Sequence, residues 1–198
     1  MRYRTIVLGV VMPGVLAGCE RRGEAERFEG TPQVVEDSVL VFPSGVRHAT
    51  NLRSLRYHDV LSTGADRPPF LVLSGIPRAG TASDRVVVVV RADRPAPPAS
   101  VLAVFPYPGE QAGAASPDSV RNLRLFVGDC VPGGFGGVVQ VTTSADSADA
   151  GAVVARQIAG DSLELVTETG APSLPDVLAA VERDECREIP RLDQSATP

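Results

Sequence analysis

The apolar positions of this chain fall in short blocks separated by breaks rich in glycine, proline and aspartate. Val34-Val35 and Val39 to Phe42 come first and are closed by Pro43-Ser44-Gly45. Phe70 to Leu73, Val86 to Val90, Val101 to Phe105 and Leu123 to Val127 follow. Blocks this short, rich in β-branched residues, predict strands rather than helices. Val86 to Val90 is a run of valines that resists helix and has no polar face. Such a run predicts a strand covered on both sides, at the centre of the core. With Phe70–Leu73 it can form an antiparallel hairpin across the loop from Gly75 to Asp84. Residues 46–61 carry two periods. Val46, Ala49, Leu52 and Leu55 fit a helix, whereas Leu55, Tyr57, Asp59 and Leu61 alternate; a strand over 52–61 is favoured. Arg94-Pro95-Ala96-Pro97-Pro98 is too proline-rich for a central strand and reads as a stiff connector. Residues 106–117 read as a loop.

The C-terminal third is the most regular. Val138 to Thr142, Val153 to Ile158 and Leu163 to Thr167 predict a three-stranded antiparallel meander, with turns at 144–151 and at Ala159-Gly160-Asp161. Ser173-Leu174-Pro175-Asp176 then has the spacing of a capping box and opens a helix. Its expected apolar stripe is Leu174, Val177, Leu178 and Val181, and it should fade near Cys186. The fold class expected is mainly β: an antiparallel sandwich or open barrel with one C-terminal α-helix packed on it.

The N-terminus has a different pattern. Arg2 and Arg4 precede the apolar run Ile6 to Met12, and the segment closes with Leu16-Ala17-Gly18-Cys19. A basic head, an apolar stretch and small residues at a cut site are the layout of a secretory signal peptide. The run is too short to cross a hydrocarbon core of about 30 Å as a helix. The last four residues resemble the lipobox of bacterial lipoproteins. That resemblance covers the first tenth or so of the chain and implies cleavage before Cys19, with lipid on the Cys19 sulfur and acylation of the new amino group. Each buried methylene contributes about 0.8 kcal/mol, so two or three acyl chains make a durable anchor. It also implies a place in the bacterial cell envelope; Glu20, where an aspartate would signal inner-membrane retention, favours the outer membrane. The domain plan is therefore a signal peptide over 1–18, a lipidated cysteine and flexible tether over 19–33, one β-rich domain over 34–189, and a loose tail over 190–198.

Charge narrows the partners. The chain carries 19 basic and 24 acidic residues, net −5, and cleavage would remove two arginines. A net-acidic exported domain does not offer the basic patch that nucleic acid demands, so no nucleic acid partner is expected. Cys130 and Cys186 remain once Cys19 is assigned to lipid, and in an oxidising compartment they read as a disulfide.

Catalytic and ligand signals are sparse. His48, His58 and Asp59 can be drawn into a metal or general-base site, but no zinc-ligand spacing is present. If 52–61 is a strand, His58 and Asp59 point to opposite faces. Ser44 and Ser74 lie in turn chemistry and lack a nucleophile-elbow motif. Gly133 to Gly137 tempts a phosphate-loop reading, but a strand follows and the phosphate-binding lysine is missing. Asp146, Asp149 and Asp161 lack calcium-loop spacing. No catalytic residue, cofactor or metal is assigned. The expected function is a non-enzymatic envelope lipoprotein that binds a protein partner or serves a structural role. The alternatives are a small extracytoplasmic hydrolase or metal-dependent enzyme using His58, and a binder of a small apolar ligand inside a barrel.

Overall fold

The computed structural model describes residues 25–61, 69–93, 101–112, 120–131, 136–144, 150–166 and 170–191. Cys19 and the lipobox lie outside the described residues. Thirteen strands and one α-helix occur among the described ones. Three short strands, β1 (Gln33–Val35), β2 (Val39–Val41) and β3 (Arg47–Ala49), form a small antiparallel sheet. The strands β4 (Leu52–Leu61), β5 (Phe70–Pro77), β6 (Val86–Arg91) and β7 (Val101–Pro106) form a second sheet in chain order. The third sheet holds β8 (Gly109–Ala112), β9 (Val120–Gly128), β10 (Gly137–Ser144), β11 (Ala150–Ala159), β12 (Ser162–Leu165) and β13 (Cys186–Glu188). Its order is β12-β11-β10-β9-β13, with β8 also paired to β9. The helix α1 (Leu174–Glu182) lies against the third sheet. Every pairing is antiparallel and no barrel closes. Among the described residues no helix is long and apolar enough to cross a membrane.

The layers stack because alternate residues of one strand feed two cores. Phe70, Val72, Val87 and Val89 meet Leu125, Val127, Val138 and Ile158 between the second and third sheets. Leu71, Leu73, Val88 and Val90 face the other way, onto Leu40, Phe42 and Phe28. The valine run is thus buried on both faces, as its lack of polar positions predicts. Phe126, Val139 and Val141 cover the far side of the third sheet and meet Val177 and Ala180 of α1. β5 and β6 form the expected antiparallel hairpin, and β10–β12 form the expected meander.

Several local expectations are corrected. Phe28, assigned to the tether, is 2 % exposed and stacks edge-on against Phe42 at 5.3 Å. Aromatic burial of this kind outweighs the polar character of the residues around it. Residues 106–117 contain β8, a short strand recruited by the free edge of β9. The helix does present Ser173 as its cap, with Asp176 reaching back. However, Leu178 is 38 % exposed and Ala180 takes its place against the sheet. The other members of the expected stripe, Leu174, Val177 and Val181, pack on the third sheet beside it. The helix also ends at Glu182, and Cys186 opens β13 instead of closing the helix.

Cys130 and Cys186 are bonded, with Cα atoms 5.0 Å apart. The bond ties β13 to the end of β9 and holds α1 through the short turn between them. Gly128 makes this approach possible: its φ is +118°, and a Cβ there would sit 2.5 Å from the Glu185 carbonyl oxygen. Any larger residue at 128 would push β13 away from its partner.

Two outcomes follow from this arrangement. Val88→Asp should abolish cooperative folding, because Val88 is 5 % exposed and an unpaired buried carboxylate costs several kcal/mol; circular dichroism of the purified variant checks it. Closing a loop with a sequence separation of 56 stabilises a chain by roughly 4 kcal/mol on the entropic estimate. Reduction should therefore lower the melting temperature, with amide exchange accelerating first in β13 and α1.

Candidate functional site

Most of the polar residues singled out from sequence lie apart from one another. His48, on β3, is 4 % exposed within the core between the first and second sheets. Burial lowers its pKa, a hydrogen bond to the Ala92 backbone opposes that, and its Nε2 has no partner. His58 lies across the second sheet from it. Among the described residues no three metal-ligating side chains come together. Asp161 is 73 % exposed at the side chain and pairs with Arg91 at 2.8 Å, tying the turn after β11 to the end of β6. Residues Gly133–Phe135, Asp146 and Asp149 lie outside the described residues. Gly137 opens β10, where a Cβ would clash with the Arg156 carbonyl.

His58 and Ser74 do meet. Their Nε2 and Oγ atoms are 2.8 Å apart in one hydrogen bond. The expectation that His58 and Asp59 face opposite ways fails, because β4 bulges there. Tyr57 pairs with Leu73 and Asp59 with Val72, so His58 is an extra residue and the alternation resets. His58 and Asp59 therefore both lie on the face turned toward the third sheet. Asp59 accepts from the Val60 N–H at 2.8 Å and lies 3.4 Å from Arg187 of β13. Burial raises its pKa, against the pull of that hydrogen bond and of Arg187. Burial lowers the His58 pKa to about 4, helped by the positive charges of Arg56 and Arg85. The imidazole is neutral at physiological pH. The pair has the atoms of a base and a nucleophile, but Ser74 is fully buried at 0 % exposure. No substrate carbonyl reaches its hydroxyl in this conformation.

Two accessible concavities among the described residues lie elsewhere, beside β6 and β7. A groove of about 200 Å³ runs over the outer face of the second sheet, lined mainly by Val86, Val88, Val90, Val101 and Val104 with Leu52 and Leu73. Thr50 and Asn51 are its polar wall. An open cleft of about 650 Å³ lies next to it at the end of β6 and β7, lined mainly by residues 82–86 and 104–109. Pro77, Val86 and Val104 border both. Within the cleft the Arg85 guanidinium stands 5.6 Å over the Tyr107 ring and donates from Nη1 to the Ser54 carbonyl at 3.1 Å. The Asp84 carboxylate accepts from the Thr81 N–H and hydroxyl, which closes the one-turn helix Ala82–Asp84.

Sequence reasoning missed this surface. Arg85 reads as one charge before a strand, and Tyr107 as one ring in a proline-rich loop. No local pattern marks Val101 to Phe105 as an edge, because another apolar block, Leu123 to Val127, follows it in the chain.

Neither a family model, nor a curated protein, nor a solved structure matches this chain.

The titration of His58 has a measurable consequence. The folded-state pKa is about 4 against an ordinary 6.5, so the unfolded chain binds more protons between those values. Stability contributed by the neutral ring is full above pH 6.5 and is lost as pH falls toward 4. The integrated effect is about 3 kcal/mol. Denaturant melts at several pH values should show His58→Gln losing less stability than the parent over that window; equal slopes would refute a buried neutral ring.

Proposed function

We propose that the chain is a lipid-anchored lipoprotein of the bacterial cell envelope whose sandwich domain is a non-enzymatic binding module for a protein partner. The observation that carries the anchor is Leu16-Ala17-Gly18-Cys19 after a basic head and an apolar run. Small residues at 17 and 18 admit a peptidase to the backbone, and Cys19 supplies the thiol at the cut. A bonded Cys130–Cys186 pair suits an exported protein, since reducing compartments keep thiols free. Glu20 favours the outer membrane as the destination.

The binding half of the reading rests on where the concave surface lies. The groove and cleft are lined mainly by aliphatic side chains and prolines, with the rings of Phe105 and Tyr107 and the charged side chains of Arg85 and Asp84. That lining fits recognition by shape and a few polar contacts rather than bond-breaking. The rival hydrolase reading draws on the His58–Ser74 hydrogen bond, but it needs Ser74 to become exposed. A ligand inside a barrel has no support, because the space between the second and third sheets is filled by side chains such as Phe70, Phe105 and Ile158.

The anchor is tested on Cys19. Mass spectrometry of the membrane fraction should find mature protein beginning at a diacylglyceryl-modified Cys19. Cys19→Ala should leave the chain uncleaved at this site or release it from the membrane. An unmodified Cys19 thiol on mature protein would sink the assignment.

A further inference from the structure

The small sheet β1–β3 lies on the second sheet without pairing to any of its strands. Its own strands are three residues each. Leu40 and Phe42, with Phe28, pack on Leu71, Leu73, Val88 and Val90. A backbone hydrogen bond from the Leu55 N–H to the Asp37 carbonyl, 3.2 Å long, crosses from β4 to the turn after β1. The Asp37 charge also acts on Arg85. The chain leaves β3 for β4 through Thr50 and Asn51. A layer of short strands, docked mainly by side chains, opens at a lower free energy than the long-stranded body.

His48 stands in the seam between these layers, opposite Leu40 in the register, and is 4 % exposed. Its ring bonds the Ala92 backbone just past β6, and its Nε2 has no partner. A neutral imidazole that donates through one nitrogen takes its next proton on the other. Here that proton would arrive on Nε2, where no acceptor stands and water does not reach. A buried cation without a partner is costly. The surrounding charges do not compensate it. On β3, Arg47 is exposed and pairs with Glu36. β2 carries no charge, and β5 and β6 turn Leu71, Leu73, Val88 and Val90 to this side. Arg91 and Asp93, on either side of Ala92, pair with each other at 2.9 Å. Arg27 and Glu29, on either side of Phe28, are exposed. Tyr57 packs on the same core and stays neutral, its pKa raised to about 12. Burial accordingly lowers the His48 pKa, opposed only by the Ala92 bond.

We propose that β1–β3 is an acid-sensitive flap, which opens from the second sheet with the uptake of one proton on the Nε2 of His48. Leu73, Val88 and Val90 already line the groove beside the flap, so opening deepens that groove. The linkage fixes the size of the effect. The ring has its ordinary pKa of 6.5 once the flap is open and a lower one when it is closed. Between those values the open form carries one proton more than the closed form. The open population is therefore flat above about pH 6.5 and rises about tenfold for each unit of pH below it. His58 bonds Ser74 on the other face of the second sheet and stays covered when the flap opens. The device is independent of whether the groove binds a partner.

The test is amide hydrogen exchange of the full-length chain between about pH 8 and about pH 5, read by mass spectrometry and corrected for the intrinsic rate at each pH. Segments covering β2 and β3 should be less protected than β9 and β10. Their protection should fall about tenfold per unit below about pH 6.5. His48→Leu should make that protection independent of pH, and His58→Gln should leave the parent slope in place. The His48 ring resonances in the parent give a measurement that needs no folded variant: they should remain those of a neutral ring at about pH 6. A ring that titrates near its ordinary pKa in the folded chain would overturn the proposal, because Nε2 would then take its proton without opening. So would protection of β2 and β3 that does not change with pH, or a slope that survives in His48→Leu. Equal protection of β2–β3 and β9–β10 at every pH would also overturn it, because the layer would then open only by global unfolding.

Discussion

Burial of the second sheet on both of its faces is the constraint on which the other layers depend. β5 and β6 bury every side chain from Phe70 to Leu73 and from Val87 to Val90. Each such apolar side chain contributes about 1.5–3 kcal/mol relative to exposure. A sheet of this kind cannot leave either face to water, so two further layers are obligatory. The third sheet covers one face. The small sheet β1–β3, with Phe28 and Phe42, covers part of the other. What it leaves uncovered, between Val86 and Val104, is the groove along β7.

The same logic places the C-terminal segment. Phe126, Val139 and Val141 turn outward from the third sheet and need a cover, and α1, the only α-helix among the described residues, provides it. A nine-residue helix is marginal by itself in water. Its position is secured by its capping box, by β13 pairing to β9, and by the Cys130–Cys186 bond. Arg124 adds a two-pronged contact to Glu188 at 2.7 and 2.6 Å, from β9 to β13. Ile189 then seals the inter-sheet core just beyond β13.

Polar groups inside this stack are tolerated where they are paired or kept neutral. Arg91 is buried at the end of β6 and is held by Asp93 and Asp161, whose bonds raise its pKa. His58 escapes the cost of a buried charge by remaining neutral and sharing a hydrogen bond with Ser74. The bulge that admits it interrupts β4 without breaking the sheet. A histidine and a serine in such a position satisfy each other, and their closeness reads as internal hydrogen bonding before it reads as chemistry.

Local sequence determined most of the strands, that Val86–Val90 is buried on both faces, that β10–β12 form a meander, and that Ser173 and Asp176 start a helix. These follow from side-chain branching, period and capping, which act within a few residues. It also singled out Cys130 and Cys186 by elimination. Tertiary structure alone decided the rest. β8 and β13 are too short to be strands by themselves and exist because β9 offers an edge. Ala180 replaces Leu178 in the contact because the side of the helix that meets the sheet, among several with helical spacing, is set by how the two pack. The meeting of His58 with Ser74 depends on one extra residue in a register, which no alternation pattern reveals. The groove along β7 exists because the small first sheet covers only part of the face behind it, and the extent of that cover is fixed by long-range contact between layers.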